Sequence, residues 1–388
     1  MRPERPYRLS GNKESDGLQG GDQMRTENVL AVRLAARASA TVVEAVAILA
    51  VIGCGASGLA SPVVSPQPPP TVDSTQTPAV SASAKSDLER ALLDLVSGSG
   101  QAALAVVESS GQSWRWAIGE ASDGPAQPNA RFEIASTTKS FTATVVLQLV
   151  GEGRLSLDDS LENVLPGRIE EGGQITIRQL LNHTSGIEGG MHFGSQGSVQ
   201  STPGTKFSYS NTNYFILGEI VEELTGQPLN VVVGDRIFRP LGLKESSFGS
   251  SSLGTPAESL PPWLGGAVSG NVYDGAGGIV STADDLATFY RALVRGKLVR
   301  EAQLADMLQT VETNSDPLAA RGAGVTRAGL GIFSIELDCG TPWGHGGDLP
   351  GYSNQVLVSR DGAKVVIVAQ NTTGWPSASA TAAEMYCL

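Results

Sequence analysis

Strand-like runs lie at both ends of the patterned part of this chain, with helical periodicity between them. Near one end, Ala102–Val107 and Ser113–Ile118 are β-like runs joined by Glu108-Ser-Ser-Gly111-Gln, a hairpin signal. Near the other, Gly329–Leu337, Ser353–Ser359 and Lys364–Gln370 read as strands. Between them, Phe215–Thr225 reads as a helix stopped by Gly226 and Pro228, and Asn230–Phe238 as another. A third opens at Ser281 or Thr282, with an acid three residues on, and runs to Arg295; a fourth covers Arg300–Leu308. A capped helix at Ser86, with Leu88, Leu92, Leu95 and Val96 as its apolar stripe, precedes the first strands, and a last helix covers 377–386. Strands grouped at the two ends do not form the β-α alternation of a doubly wound fold. The pattern predicts an α+β domain: one antiparallel sheet built from both ends, flanked by helices, with a mainly helical inserted subdomain.

That domain is expected to begin near residue 86. Thr41–Cys54 is the one long apolar span, with Arg33 and Arg37 before it. It is too short and too interrupted by Glu44 to span a membrane, and it suits an export signal over residues 1–53. Val51-Ile52-Gly53-Cys54 resembles a bacterial lipoprotein box, which would put a lipid on Cys54 and anchor the exported protein to the outer face of the cell membrane. The other reading is a plain cleaved signal and a secreted protein. Residues 1–23 are polar and unpatterned, so translation from Met24 would give a more usual signal. Residues 54–85 are mostly Ser, Pro, Thr, Ala and Gly, with almost no large apolar side chains and with Pro66-Gln-Pro-Pro-Pro70 inside them. Such a stretch buries no core and reads as a disordered linker. The net charge of −12 and the lack of any Lys/Arg block argue against nucleic acid as a partner.

Three short motifs carry chemistry. Ser136-Thr-Thr-Lys139 opens a stretch whose Phe141, Val145, Val146, Leu149 and Val150 have helical spacing, so Ser136 and Lys139 share one face a turn apart. A serine hydroxyl becomes a nucleophile when a neighbour takes its proton, and a lysine desolvated by burial can be that neighbour. Tyr209-Ser-Asn211 offers a phenol and an amide, and His345-Gly-Gly347 an imidazole beside flexible backbone. Each spacing also occurs elsewhere: Ser10 with Lys13, Tyr352 with Asn354, and His192 with Gly194.

Taken in chain order, Ser136/Lys139, Tyr209/Asn211 and His345/Gly347 resemble the penicillin-recognising serine hydrolases, in particular the class C β-lactamase and D-Ala-D-Ala carboxypeptidase branch. That order excludes the three decoys. The likeness extends to Phe132-Glu-Ile-Ala-Ser, Leu180-Leu-Asn-His-Thr-Ser-Gly-Ile187, Pro240-Leu-Gly-Leu243 and Gly277-Gly-Ile-Val-Ser-Thr282, over residues 86–388. It implies acyl transfer through an acyl-enzyme on Ser136. Lys139 and Tyr209 would deprotonate the serine. Asn211, His345 and Gly347 would bind substrate, and the backbone N–H groups of Ser136 and Asp348 would hold the oxyanion.

The third motif starts with His rather than the Lys of class C β-lactamases, which argues against efficient lactam hydrolysis. The expected substrates are a D-Ala-D-Ala-type peptide, including peptidoglycan, or a small amide or ester. No cofactor or metal is expected, and the chain is expected to act as a monomer. An esterase on the same fold is the nearest alternative; a non-catalytic peptidoglycan- or partner-binding module is a third reading. His345 is expected to hydrogen-bond Tyr209 or the substrate rather than supply charge. With Cys54 lipidated, Cys339 and Cys387 remain as a pair, and in an exported protein two such cysteines are expected to be bridged; similar carboxypeptidases carry a bridge in this region.

Overall fold

The computed structural model describes residues 82–98, 100–121, 124–188, 197–249, 274–313, 325–349, 351–372 and 378–388. The expected export signal, Cys54, Met24 and the decoys Ser10 and His192 lie outside them, as does most of the expected linker. In chain order the described part opens with helix α1 (Ala82–Gly98) and strands β1 (Gly100–Ser109), β2 (Gln112–Ala121), β3 (Gly124–Pro125) and β4 (Phe132–Glu133). A 3-10 turn, Ala135–Thr137, leads into α2 (Thr138–Gly151), followed by α3 (Leu161–Val164), α4 (Ile177–Leu181), α5 (Asn211–Thr225) and α6 (Leu229–Val233). Then come α7 (Arg239–Leu241), β5 (Ser247–Phe248), α8 (Asp274–Gly277), β6 (Ile279–Ser281), α9 (Ala283–Val294) and α10 (Glu301–Met307). The chain ends with β7 (Val311–Glu312), β8 (Val325–Ala328), β9 (Phe333–Ile335), β10 (Trp343–Leu349), β11 (Tyr352–Val358), β12 (Val365–Thr372) and α11 (Ala378–Cys387).

The main sheet has nine strands in the order β3-β2-β1-β12-β11-β10-β9-β8-β7, each pair antiparallel. The first and last long strands, β1 and β12, are neighbours at its centre, as strands from both ends of the chain require. A smaller antiparallel sheet has the order β4-β6-β5. In β1 and β12 the residues alternate between two cores rather than between core and water. Leu104, Val106 and Ile367 face a large cluster with the helices α2, α5 and α9, whereas Ala105, Val107, Val366 and Val368 face a smaller one with Leu88 and Leu92 of α1 and Met385 of α11. Covered on both sides, these strands are apolar almost without break.

Several boundaries depart from the sequence pattern. Helix α1 begins at Ala82, ahead of Ser86, because Ala82-Ser-Ala-Lys continues it well. Helix α5 begins at Asn211 rather than Phe215 and ends, as its glycine indicates, at Gly226 in left-handed conformation. The stretch 229–241 is α-helix, a five-residue π segment (Gly234–Phe238) and α-helix again. Thr282 caps α9 by accepting the Asp285 N–H. Among the described residues no helix is long and apolar enough to cross a membrane.

Candidate active site

Helix α2 is buried on every face, not along a stripe: Thr138 through Leu147 and Leu149 are all buried. A helix carrying Thr138, Ser140, Thr142 and Thr144 tolerates this because each hydroxyl has a partner. Ser140 donates to the Gly331 carbonyl at 2.7 Å, Thr142 to Gly275 at 2.8 Å and Thr144 to Ser140 at 2.7 Å, while Thr138 accepts the Ile279 N–H at 3.2 Å. The helix is thus fixed in the core, with the turn before it against β10 and β11.

Ser136 is not the first residue of that helix. It stands two residues earlier, in the 3-10 turn, half-buried, directly after Ala135 with φ of 47°. Left-handed backbone at a residue with a Cβ costs about 1–2 kcal/mol. Strain of this kind collects where a side chain must be held in one place.

Lys139 is fully buried, and Nζ has three neighbours: Ser136 Oγ at 3.0 Å, Asn211 Oδ1 at 2.8 Å and the Ala276 carbonyl at 2.8 Å. Burial pushes its ammonium well below the usual lysine range, toward the neutral amine. The Tyr209 ring lies 5.1 Å from Nζ, just before α5, and Asn211 is the first residue of α5. The Ser-x-x-Lys and Tyr-x-Asn motifs, 70 residues apart in sequence, are therefore in direct contact through Lys139 and Asn211.

His345, Gly347 and Asp348 lie on β10, which pairs with β9 only at Trp343 and Gly344 and runs on past the end of that strand. Of the two partners expected for His345, Tyr209 or the substrate, Tyr209 is not bonded to it. The Gly346 carbonyl takes Nδ1 at 2.6 Å, which puts the imidazole proton on Nδ1, and Nε2 is buried without a partner among the described residues. Burial, and then the positive charge of Lys139, push its pKa down to about 3, so the ring is neutral at any ordinary pH. Phe333 meets it edge-on with ring centroids 4.9 Å apart.

Two residues without a role in the motif pattern belong to this cluster. His183, from the Leu180–Ile187 stretch, is buried with φ of 59°, and its ring lies 4.4 Å from that of Tyr209. Its Nδ1 accepts the Ser210 N–H at 3.3 Å and meets Asn213 Nδ2 at 3.2 Å, so its proton sits on Nε2, the opposite tautomer to His345. Burial holds it neutral too. Asn354, half of the decoy Tyr352/Asn354, lies under the nucleophile turn. The sequence marked the first by a motif whose purpose it did not reveal. For the second the only signal pointed away from the site.

Cys339 and Cys387 are bonded, with Cα atoms 5.4 Å apart, on the far side of the sheet from this cluster.

A serine and a lysine one turn apart, a Tyr-x-Asn at the start of a facing helix and a His-x-Gly strand, all on a central antiparallel sheet, define the fold of the penicillin-binding and β-lactamase type of serine hydrolase. The chain belongs to the beta-lactamase family, whose model matches residues 89–386. Penicillin-binding protein 4 of Amycolatopsis lactamdurans is 32% identical over 265 residues, which span 60% of this chain and 66%, just under two thirds, of that protein. A D-stereospecific amidohydrolase from Streptomyces sp. shares 30% identity at a TM-score of 0.65, over 76% of this chain and 96% of that one. The D-amino acid amidase of Ochrobactrum anthropi SV3 shares the fold, with a TM-score of 0.67 at 23% identity over 78% and 97% of the two chains.

Proposed function

We propose that the protein is an exported serine hydrolase that cleaves amides of D-configured residues through an acyl-enzyme on Ser136. The observation that carries this reading is the environment of Lys139 Nζ. The Asn211 and Ala276 oxygens can only accept, so two of the nitrogen's positions are N–H groups directed at them. The third position faces Ser136 Oγ at 3.0 Å. In the amine form favoured by burial it is the lone pair, and the serine hydroxyl donates to it. Lys139 then takes the hydroxyl proton as Oγ bonds to the substrate carbonyl carbon. The backbone N–H groups of Ser136 and Asp348 hold the oxyanion. The proton passes, with Tyr209 as partner, to the departing nitrogen, the C–N bond breaks, and water releases the acyl group by the same path.

The neutral His345 bears on the substrate. A peptide with a terminal carboxylate gains no charge partner from it, whereas a D-amino acid amide needs none. The Streptomyces relative, named for D-stereospecific amidohydrolysis, is in line with this. A D-Ala-D-Ala carboxypeptidase would need another cation for that carboxylate, so the amide reading is preferred; nothing at the site separates it from an esterase.

A fluorophosphonate should add once to the wild-type protein, and Ser136→Ala should take none; an adduct that survives in the variant would remove Ser136 as the nucleophile. D-Phenylalanine amide should be hydrolysed faster than a D-Ala-D-Ala peptide, and the reverse order would restore the carboxypeptidase reading. The proposed lipid on Cys54 should send the mature protein into detergent, with Cys54→Ala in the aqueous phase. Equal partitioning would leave a secreted protein.

A further inference from the structure

Asn354 makes three hydrogen bonds that converge on the turn around Ser136. It stands on β11 directly opposite Gly347 of β10, so its side chain and any side chain at 347 share one face of the sheet. Glycine leaves that space open and the Asn354 amide enters it. A Cβ on Gly347 would meet Asn354 Nδ2 at 2.7 Å and the Ile134 carbonyl oxygen at 2.1 Å. Nδ2 donates to the Ile134 carbonyl at 3.0 Å and to the Gly347 carbonyl at 3.1 Å, and Oδ1 accepts from Thr137 Oγ1 at 2.9 Å. All of this amide's hydrogen-bonding groups are used, and the residue is 2% exposed.

Ile134 and Thr137 bracket Ala135 and Ser136. One amide therefore grips the chain on both sides of the serine and ties it to the strand that carries His345 through Asp348. The turn it grips includes the left-handed Ala135, a conformation that does not hold itself. An oxyanion is stabilised only by donors about 2.7–3.1 Å from it, so the separation of the two backbone N–H groups must be set within a few tenths of an ångström.

We propose that Asn354 is the positioning residue of the oxyanion site: its clasp on Ile134, Thr137 and Gly347 sets the spacing between the Ser136 and Asp348 N–H groups. This rests on the acyl-enzyme reading above. Asn354 touches neither substrate nor the serine oxygen and acts through the backbone on either side.

The test is the rate of fluorophosphonate labelling at saturating and limiting reagent, which needs no known substrate. Thr137→Val keeps the volume and removes the hydroxyl that Asn354 accepts; Thr137→Ser retains it. Asn354→Leu removes all three bonds. The maximal labelling rate should fall about 10- to 100-fold in Thr137→Val and about 100- to 1,000-fold in Asn354→Leu, with half-saturation within about three-fold. Thr137→Ser should stay within about three-fold of wild type. Labelling at wild-type rates in both Thr137→Val and Asn354→Leu would overturn the proposal. So would a loss confined to thermal stability. If Asn354→Leu does not fold, the Thr137 pair decides alone. A wild type that takes no adduct at Ser136 would remove the acyl-enzyme reading and the clasp with it. An adduct with unaltered rates in the variants would remove only the clasp.

Discussion

The two faces of the main sheet are built on different terms. The face under α1 and α11 is apolar, and its few polar contacts serve the helix above: Ser353 Oγ accepts the Ala378 N–H at 2.9 Å, and Ser379 Oγ donates to Gln355 at 2.8 Å. The Cys339–Cys387 bond then ties the end of α11 to the turn before β10. The other face buries a lysine, two neutral histidines and a row of hydroxyls, nearly all hydrogen-bonded. Buried polar groups cost free energy unless paired, and pairing fixes them in place. The first face is therefore held chiefly by apolar packing, whereas the second adds to the larger apolar core a polar array that fixes geometry, and substitutions in that array and on the first face should fail in different ways.

The largest effect is expected for Lys139→Met, which keeps the volume and removes the base. Hydrolysis or labelling should fall by at least ~10³-fold while the far-ultraviolet spectrum is retained. Activity within ten-fold of wild type would end the division of labour drawn here. Cys339→Ser tests the opposite face. Closing a loop with a sequence separation of 48 contributes about 2–4 kcal/mol, so the melting temperature should drop by several degrees with turnover unchanged within about two-fold. A matching loss of turnover would show that the two faces are coupled.

The smallest effect is an acid slope. Native His345 takes no proton until about pH 3, whereas the unfolded chain's histidine takes one near pH 6.5. Between these values the unfolded state holds the extra proton, so stability falls as pH falls, by about 1.4 kcal/mol per pH unit for this residue. His183, also held neutral by burial, acts in the same direction. Urea unfolding of His345→Gln between pH 6.5 and 4.5 should show a slope shallower than wild type by about that amount; parallel slopes would mean that His345 is charged in the fold.

How far the sequence reveals this molecule depends on how local each feature is. The strand runs at the two ends, the hairpin at Gly111 and the Thr282 cap rest on neighbours in the chain, and the sheet joining the two ends followed from the order of the runs; all were legible. So was the order of the three motifs. The left-handed Ala135, the His183 ring on Tyr209 and the Asn354 clasp were not, because each depends on groups brought together only by folding. The clasp spans 220 residues between Asn354 and Ile134. Its spelling as a second Tyr-x-Asn made it look redundant. Strand β10 is weakly marked for another reason: Trp343-Gly-His-Gly-Gly-Asp-Leu349 has three glycines in seven residues and little strand propensity. Those glycines are needed because backbone approaches closely there, as Ile134 does at Gly347.

The pairing of β1 with β12 also sets when this domain can assemble. The Ala102 N–H meets the Asn371 side chain across 269 residues, and every residue from Ala102 to Glu108 finds a partner between Val365 and Asn371. In a growing chain that has made only β1 and β2, the apolar strand β1 has one of its two partners, and the other does not yet exist. Contacts of such long sequence separation form late and slowly. The central pairing of the sheet therefore waits until β12 has been synthesised and has left the ribosome, however early the helices between the two strands are made.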